Sequence, residues 1–281
     1  MPVTVKFTNN STIKRRPIQS SELPESEKQE VQAGQEFEIQ SYDQERNHVR
    51  VAFSKNTFNG FNTWYAFEGH IQLLKDKVPI FPPAKPKAVK LPVPYKSQRD
   101  NQENPNGSCN VTSLAMCLEY LGTKRRQTSG QFEDELYQYA IDTGLSRHNP
   151  HDLAKIVEAY GCRDYFRTDA TIDQVKLWLA AQRPIVIHGY FTTFGHIVVL
   201  TGYDETGFLA HDPYGEWNSW GYDLNVPGLS NLKGKYVRYS YNMIRKLCIP
   251  DGMFWVHFLF RENKSIKGNQ SRFLNYFHAD I

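Results

Sequence analysis

Six prolines fall within seventeen residues, at positions 79, 82, 83, 86, 92 and 94. Each ring fixes φ and removes an N–H donor, which disfavours helix, so the stretch predicts an extended, semi-rigid connector over 78–94. It parts a chain of 281 residues into two stretches with different hydrophobic periods. Residues 1–77 read as a small β-barrel of short strands over 3–8, 36–42, 48–53 and 63–67, the last leading to 71–73. Polar turns at 43–47 and at Asn59-Gly60 separate them, and no helical period is visible.

From residue 95 the period changes. Val111, Leu114, Ala115, Leu118 and Leu121 recur at three-and-four spacing before Gly122, which predicts a helix over 110–121. Further helices are expected over 132–142, 152–160 and 172–181, and strands over 184–189, 196–203, 208–212 and 253–260. Helices first and an antiparallel sheet afterwards is an α+β order for a domain over 95–260. Residues 261–281, polar and basic with scattered Phe and Tyr, read as a tail packed on that domain.

Composition removes several functions. A hydrophobic content of 40% with 14% aromatic residues excludes disorder for most of the chain. No stretch approaches the roughly 20 consecutive apolar residues of a membrane span. Lys and Arg number 33 against 30 Asp and Glu, a mixed surface without the basic stripe of a nucleic-acid binder. Met1-Pro2-Val3-Thr4-Val5-Lys6 lacks the apolar core of a signal peptide, so synthesis in the cytoplasm is expected. Four cysteines are too few for a disulfide scaffold, and the context of each becomes the question.

Cys109 differs from the other three. It follows Asn106-Gly107-Ser108 and opens the first helix, where the helix dipole and unpaired N–H groups favour a thiolate. Cys117, Cys162 and Cys248 have no such placement and read as buried small hydrophobes. A nucleophilic thiol needs a base and a group that orients the base. His196 heads an apolar strand after Gly195, a residue that would let another segment approach closely, and Asp212 ends the next strand at a Pro turn. The separation of sixteen residues is even, so a hairpin centred on Asp204 would set 196 and 212 opposite each other on one face. The turn-forming residues 204–207 favour a centre slightly later, which would require a bulge.

Residues 91–260 resemble the papain-like cysteine peptidases of the family that includes the double-glycine leader peptidases. Three blocks carry the resemblance. The first is Val93-Pro94-Tyr95-Lys96-Ser97-Gln98 followed by Ser108-Cys109-Asn110-Val111-Thr112-Ser113; the second is Gly195-His196-Ile197-Val198-Val199 through Gly202-Tyr203-Asp204; the third is Asp212-Pro213-Tyr214-Gly215. The resemblance implies a papain-like fold, Cys109 as nucleophile, His196 as its proton acceptor and donor, and Asp212 as the residue fixing the imidazole. It also implies that Gln98 and the Cys109 backbone N–H donate to an oxyanion. The chain departs from the family pattern after the nucleophile, having Asn110-Val111 where Gly-Pro is common. Residues 1–77 resemble bacterial SH3-like modules, through the Ala33-Gly34 turn and the strand Asn62-Thr63-Trp64-Tyr65.

His188 and His211 could suggest zinc with Cys109, but no metal-ligand spacing supports it and His211 should face away from Asp212, so no metal or cofactor is expected. Trp217 and Trp220, on a loop just after Asp212, could line a substrate groove or pack inward. The expectation is a cysteine peptidase or amidase acting on a peptide or peptidoglycan-type substrate, in the manner of a lysin that reaches the wall without a secretion peptide. Two alternatives stay open: a binding protein on the same fold, and an acyl transferase or transpeptidase using the same thioester.

Overall fold

Alternation in Val3-Thr4-Val5-Lys6-Phe7 turns Val5 and Phe7 to one side of a strand. In the computed structural model of the chain both are fully buried. The structure describes residues 2–45, 48–81, 86–223 and 233–261. They form two compact units that part between residues 81 and 86.

The regular structure of the first unit, among its described residues, is antiparallel strand apart from three short 3₁₀ turns. Strands β1 (Val3–Phe7), β2 (Ser11–Lys14), β3 (Lys28–Val31), β4 (Glu36–Glu45), β5 (His48–Phe53), β6 (Thr63–Phe67), β7 (Ile71–Lys75) and β8 (Val78–Phe81) pair in the order β3-β2-β6-β5-β4-β1-β7-β8. Every strand contributes to one core, among them Phe7, Ile13, Val31, Ile39, Val51, Trp64, Leu73 and Phe81. Burying each such side chain is worth about 1.5–3 kcal/mol. Phe37 meets Phe53 and Phe58 edge-on at 5.4 and 5.6 Å, filling the corner where the β4–β5 register shifts near Ile39.

Two sequence expectations are corrected here. The turn expected over 43–47 begins later: Asp43, Gln44 and Glu45 continue β4 and pair with Arg50, Val49 and His48. The connector expected over 78–94 is taken up at both ends, since 78–81 form the edge strand β8 and Val89–Lys90 form β9. An edge strand tolerates Pro79 because one row of its backbone groups has no ladder partner to lose.

In the second unit, helices α1 (Cys109–Tyr120), α2 (Phe132–Thr143) and α3 (Pro150–Ala159) precede β10 (Arg163–Arg167) and α4 (Ile172–Ala180). Next come β11 (Ile185–Gly189), β12 (His196–Tyr203), β13 (Gly207–His211), β14 (Trp217–Asn218), β15 (Gly221–Tyr222), β16 (Val237–Ser240), α5 (Tyr241–Cys248) and β17 (Val256–Phe260). The main sheet runs β10-β17-β11-β12-β13-β16, with β9 also paired to β12, and the unit is α+β as expected. Helix α1 is the centre of the unit: all of 110–118 is buried, more than the single apolar stripe suggested. Asn149 caps α3 ahead of Pro150, and Thr171 with Gln174 forms a capping box on α4.

Strand β10 and helix α5 were not expected. Arg163-Asp164-Tyr165-Phe166-Arg167 lacks an apolar alternation because its buried anchor is a carboxylate: Asp164 accepts from His257 Nδ1 at 2.7 Å. His257 Nε2 lies 3.0 Å from His188 Nε2, so a polar chain ties β10, β17 and β11 together. Burial holds His188 down to about 3, neutral at ordinary pH. Helix α5 buries only Ile244 and Cys248, one turn apart, too small a stripe to read from sequence. The tail expected over 261–281 lies, beyond Arg261, outside the described residues.

Candidate active site

The backbone around Cys109 is fixed before the helix begins. Asn101 Nδ2 donates to the Ser108 hydroxyl at 2.8 Å and to the Thr112 hydroxyl at 3.0 Å, both inside the protein. Ser108 takes φ −105° and ψ 18°, and Cys109 becomes the first residue of α1. Its N–H therefore has no intrahelical acceptor, and its sulfur stands at the positive end of the helix dipole. Asn110 reaches sideways, donating through Nδ2 to the Arg147 carbonyl at 2.7 Å, while Arg147 donates to the Gly107 carbonyl at 3.0 Å. In this chain Asn110 anchors the helix start to the segment before α3.

His196 opens β12 and is buried. Gly195 precedes it with φ +81°, a conformation that favours glycine, and no atom lies closer than 3.9 Å to where a Cβ would be. The glycine is thus needed for backbone shape, and not for the close approach the sequence suggested. The β12–β13 ladder pairs Val199 with His211 and shifts register between Leu200 and Gly202. Continuing that register sets residue 212 across from 198, so His196 and Asp212 are diagonal neighbours and not directly opposite. The cause is the tight turn in which Asp204 N–H donates to the Gly207 carbonyl at 3.0 Å, off the centre assumed from the even spacing. The imidazole still spans the diagonal: His196 Nε2 donates to Asp212 Oδ1 at 2.8 Å.

With Nε2 so engaged, the other ring nitrogen is left for Cys109, to which the ring is hydrogen-bonded. Burial alone would push the thiol up, but the His196 charge and hydrogen bond, with a backbone hydrogen bond at Ile197, more than offset it and hold Cys109 below its ordinary value. Burial likewise opposes charge on His196, yet Asp212 and Cys109 together raise it to about 10. Both shifts favour the charged forms, thiolate and imidazolium, the arrangement from which a nucleophile at neutral pH can be drawn. Burial raises Cys117 and Cys248 instead, and Cys162 is buried beside the Thr123 hydroxyl at 3.4 Å.

Asp212 is fully buried in the turn Asp212-Pro213-Tyr214-Gly215. Gln98, 1% exposed, is tied to the same turn by its N–H to the Pro213 carbonyl at 2.8 Å. Its side-chain Nε2 donates to the Pro105 carbonyl at 3.1 Å, and Oε1 is buried without a partner. One N–H of the amide is thereby spent on protein, leaving the second to point elsewhere. His211 faces away from the site: Nε2 donates to the Val93 carbonyl at 2.9 Å, Nδ1 accepts from Tyr236 N–H at 3.0 Å, and burial holds the ring down to about 4. Among the described residues no group of three or more His, Cys, Asp or Glu is arranged to hold a metal ion.

Trp217 is half-buried and its Nε1 donates to the Phe191 carbonyl at 2.7 Å, while Trp220 is 70% exposed at the tip of the β14–β15 hairpin. Sequence reading missed the tyrosines around Asp212. Tyr222 and Tyr239 donate to Oδ2 at 2.8 and 2.7 Å, and Tyr214 N–H donates to Oδ1 at 3.0 Å. No motif marks them, because they reach the carboxylate from β15 and β16 through pairings that no short-range signal announces.

Residues 90–249 match the profile of the Peptidase_C39 like family, more than half of the chain. The chain belongs to the Peptidase_C39 like family. Membership implies cysteine peptidase activity. Two solved structures are similar to it: a double glycine motif protease from an AMS/PCAT transporter in complex with the leader peptide, and a protein from Bacillus anthracis described as a C39-like peptidase. The first is 21% identical with a TM-score of 0.36 and covers 61% of this chain and 92% of its own. The second is 19% identical with a TM-score of 0.37 and covers 63% of this chain and 100% of its own. No curated protein matches the chain.

Proposed function

We propose that the protein hydrolyses a peptide or amide bond with Cys109 as nucleophile, His196 as proton carrier and Asp212 as the group that orients the imidazole. The observation that carries this reading is the unbroken line of contacts from Asp212 Oδ1 through the His196 ring to the thiol at the head of α1. The Cys109 thiolate attacks the carbonyl carbon; the S–C bond forms and the carbonyl π pair moves to oxygen. That oxygen accepts from the Cys109 N–H and from the remaining N–H of Gln98, a type of donor worth about 3 kcal/mol. On collapse the C–N bond breaks and the His196 proton leaves with the amine, giving a thioester. Water then attacks the thioester carbonyl, losing its proton to His196, and the thiolate departs to leave a carboxylic acid and the starting pair.

The substrate we propose is a wall-type peptide, with the first unit serving as an SH3-like barrel that holds the polymer. Support comes from the all-strand order of the first unit and its single core, together with the Ala33-Gly34 turn and the strand carrying Trp64. The test is mass spectrometry of purified peptidoglycan after digestion by the intact protein and by Cys109→Ala. New amine and carboxyl ends from the intact protein alone are expected; equal products from Cys109→Ala would overturn the mechanism, and none from either would overturn the substrate.

A further inference from the structure

Orienting an imidazole needs one carboxylate oxygen, yet both oxygens of Asp212 are fully used. Oδ1 accepts from His196 Nε2 and Tyr214 N–H, and Oδ2 accepts from the hydroxyls of Tyr222 and Tyr239. The two tyrosines come from different places. Tyr239 is 1% exposed on β16, whereas Tyr222 lies on the half-buried β14–β15 hairpin, its ring 5.6 Å from that of His196 and 5.0 Å from that of Tyr214. The backbone of Asp212 needs neither hydroxyl, because Tyr95 OH already donates to the Asp212 carbonyl at 3.1 Å and Asp212 N–H to the Gly234 carbonyl at 2.9 Å; that of Tyr239 also accepts from the Trp217 N–H at 3.2 Å, whereas Tyr222 is tied to Asp212 alone in this way.

We propose that Tyr222 and Tyr239 are positioning residues for the Cys109–His196 pair, clamping Oδ2 so that Oδ1 stays on Nε2 and the negative charge of Asp212 is held away from the sulfur. This rests on the roles proposed for Cys109 and His196. In the resting pair the thiolate and Asp212 are both anionic and His196 is cationic, so the buried triad carries a net negative charge. Asp212 opposes the thiolate through space, and the hydroxyls are the donors that absorb part of its charge. Among the described residues, the other titratable or charged groups around this cluster are Tyr95, whose hydroxyl donates to the Asp212 carbonyl, Tyr214, whose ring lies 6.4 Å from that of His196, and Glu216, which acts on Tyr239, with Arg99 over the Tyr214 ring at 5.7 Å. Removing a hydroxyl therefore makes the thiolate form harder to reach, and the acid limb of Cys109 reactivity moves to higher pH.

The test measures the iodoacetamide rate of Cys109 against pH, with thiolate ultraviolet absorbance in parallel, for the full chain and for Tyr222→Phe, Tyr239→Phe and the double variant. Each single change is expected to raise the acid limb by about half to one pH unit, which is about three- to tenfold slower alkylation at a fixed pH below the midpoint. The double variant is expected to move it further, with kcat lowered and KM unchanged wherever hydrolysis is measurable. Tyr222→Phe, on the hairpin, keeps the test open if Tyr239→Phe does not fold. An unmoved limb in a folded Tyr222→Phe overturns the proposal, as does a fall in thermal stability with no change in the pH profile. Alkylation needs no substrate, so a shifted limb in a protein that cleaves nothing supports the clamp while refuting the hydrolase reading.

Discussion

Gly234 is the position where one added carbon should do most damage to the site. A Cβ there would lie 1.9 Å from the Asp212 carbonyl oxygen and 2.6 Å from the Tyr95 hydroxyl, while real Cβ contacts do not fall below 3.0 Å. The first obstacle is backbone, so it cannot rotate away; residues 212 and 234 must separate by about 1 Å, the difference between those two distances. That lengthens the 2.9 Å bond from Asp212 N–H to the Gly234 carbonyl past hydrogen-bonding range and disturbs the Tyr95 bond. Overpacking of this kind costs about 1–3 kcal/mol and each of the two hydrogen bonds about 0.5–1.5 kcal/mol, so Gly234→Ala is expected to lose about 2–6 kcal/mol. For a unit of this size that is a fall of about 5–20 °C in the melting temperature. Displacing Asp212 by about 1 Å also moves Oδ1 off His196, and such a misplacement costs about 100-fold in rate. The assay is thermal unfolding by circular dichroism beside the iodoacetamide rate of Cys109 at fixed pH. A Gly234→Ala protein that melts within about 2 °C of the parent, well short of the smallest fall expected, and alkylates at the parent rate would overturn this steric account.

Two further outcomes follow from the buried pairs. Asp212→Asn removes the larger of the two charges that raise His196 to about 10, so the alkaline limb of hydrolysis, where the proton donor to the leaving amine is lost, should move toward the ordinary histidine range; a limb unmoved near pH 10 would refute that assignment. The sign for stability is the same: the imidazolium contribution is complete below about 6.5 and fades as pH rises through about 10, and urea titrations should show this loss in the parent and not in Asp212→Asn. Asp164→Ala leaves His257 buried without its carboxylate and should cost about 3–5 kcal/mol in urea unfolding, while the iodoacetamide rate of the folded fraction stays at the parent value.

Much of the second unit was legible because its signals are local. Helix α1 announces itself through Val111, Leu114, Ala115 and Leu118, and β12 through the unbroken run after His196, so the residues bearing sulfur and imidazole fell on the right elements. Asp212 was read as a carboxylate at a Pro turn ending a strand, but its diagonal register to His196 depends on a bulge that only the folded sheet defines. Strand β10 escaped because a buried Asp164–His257 pair anchors it where an apolar alternation usually would. Tyr222 and Tyr239 escaped for a similar reason: a tyrosine at a strand position reads as packing, and its hydroxyl acquires meaning only when a distant carboxylate is brought within 3 Å. In the first unit β2 and β3 were missed, since Ser11–Lys14 and Lys28–Val31 are short and mostly polar and gain their apolar contacts from the shared core.

One thiol of the four, Cys109, is set apart by its surroundings. Brief iodoacetamide labelling of the native protein at mildly acidic pH, followed by peptide mapping of all four cysteines, shows whether it alone is activated. Rapid modification of Cys109 alone, with Cys117, Cys162 and Cys248 unlabelled until the protein is unfolded, is the expected result. Four equally sluggish cysteines would contradict it.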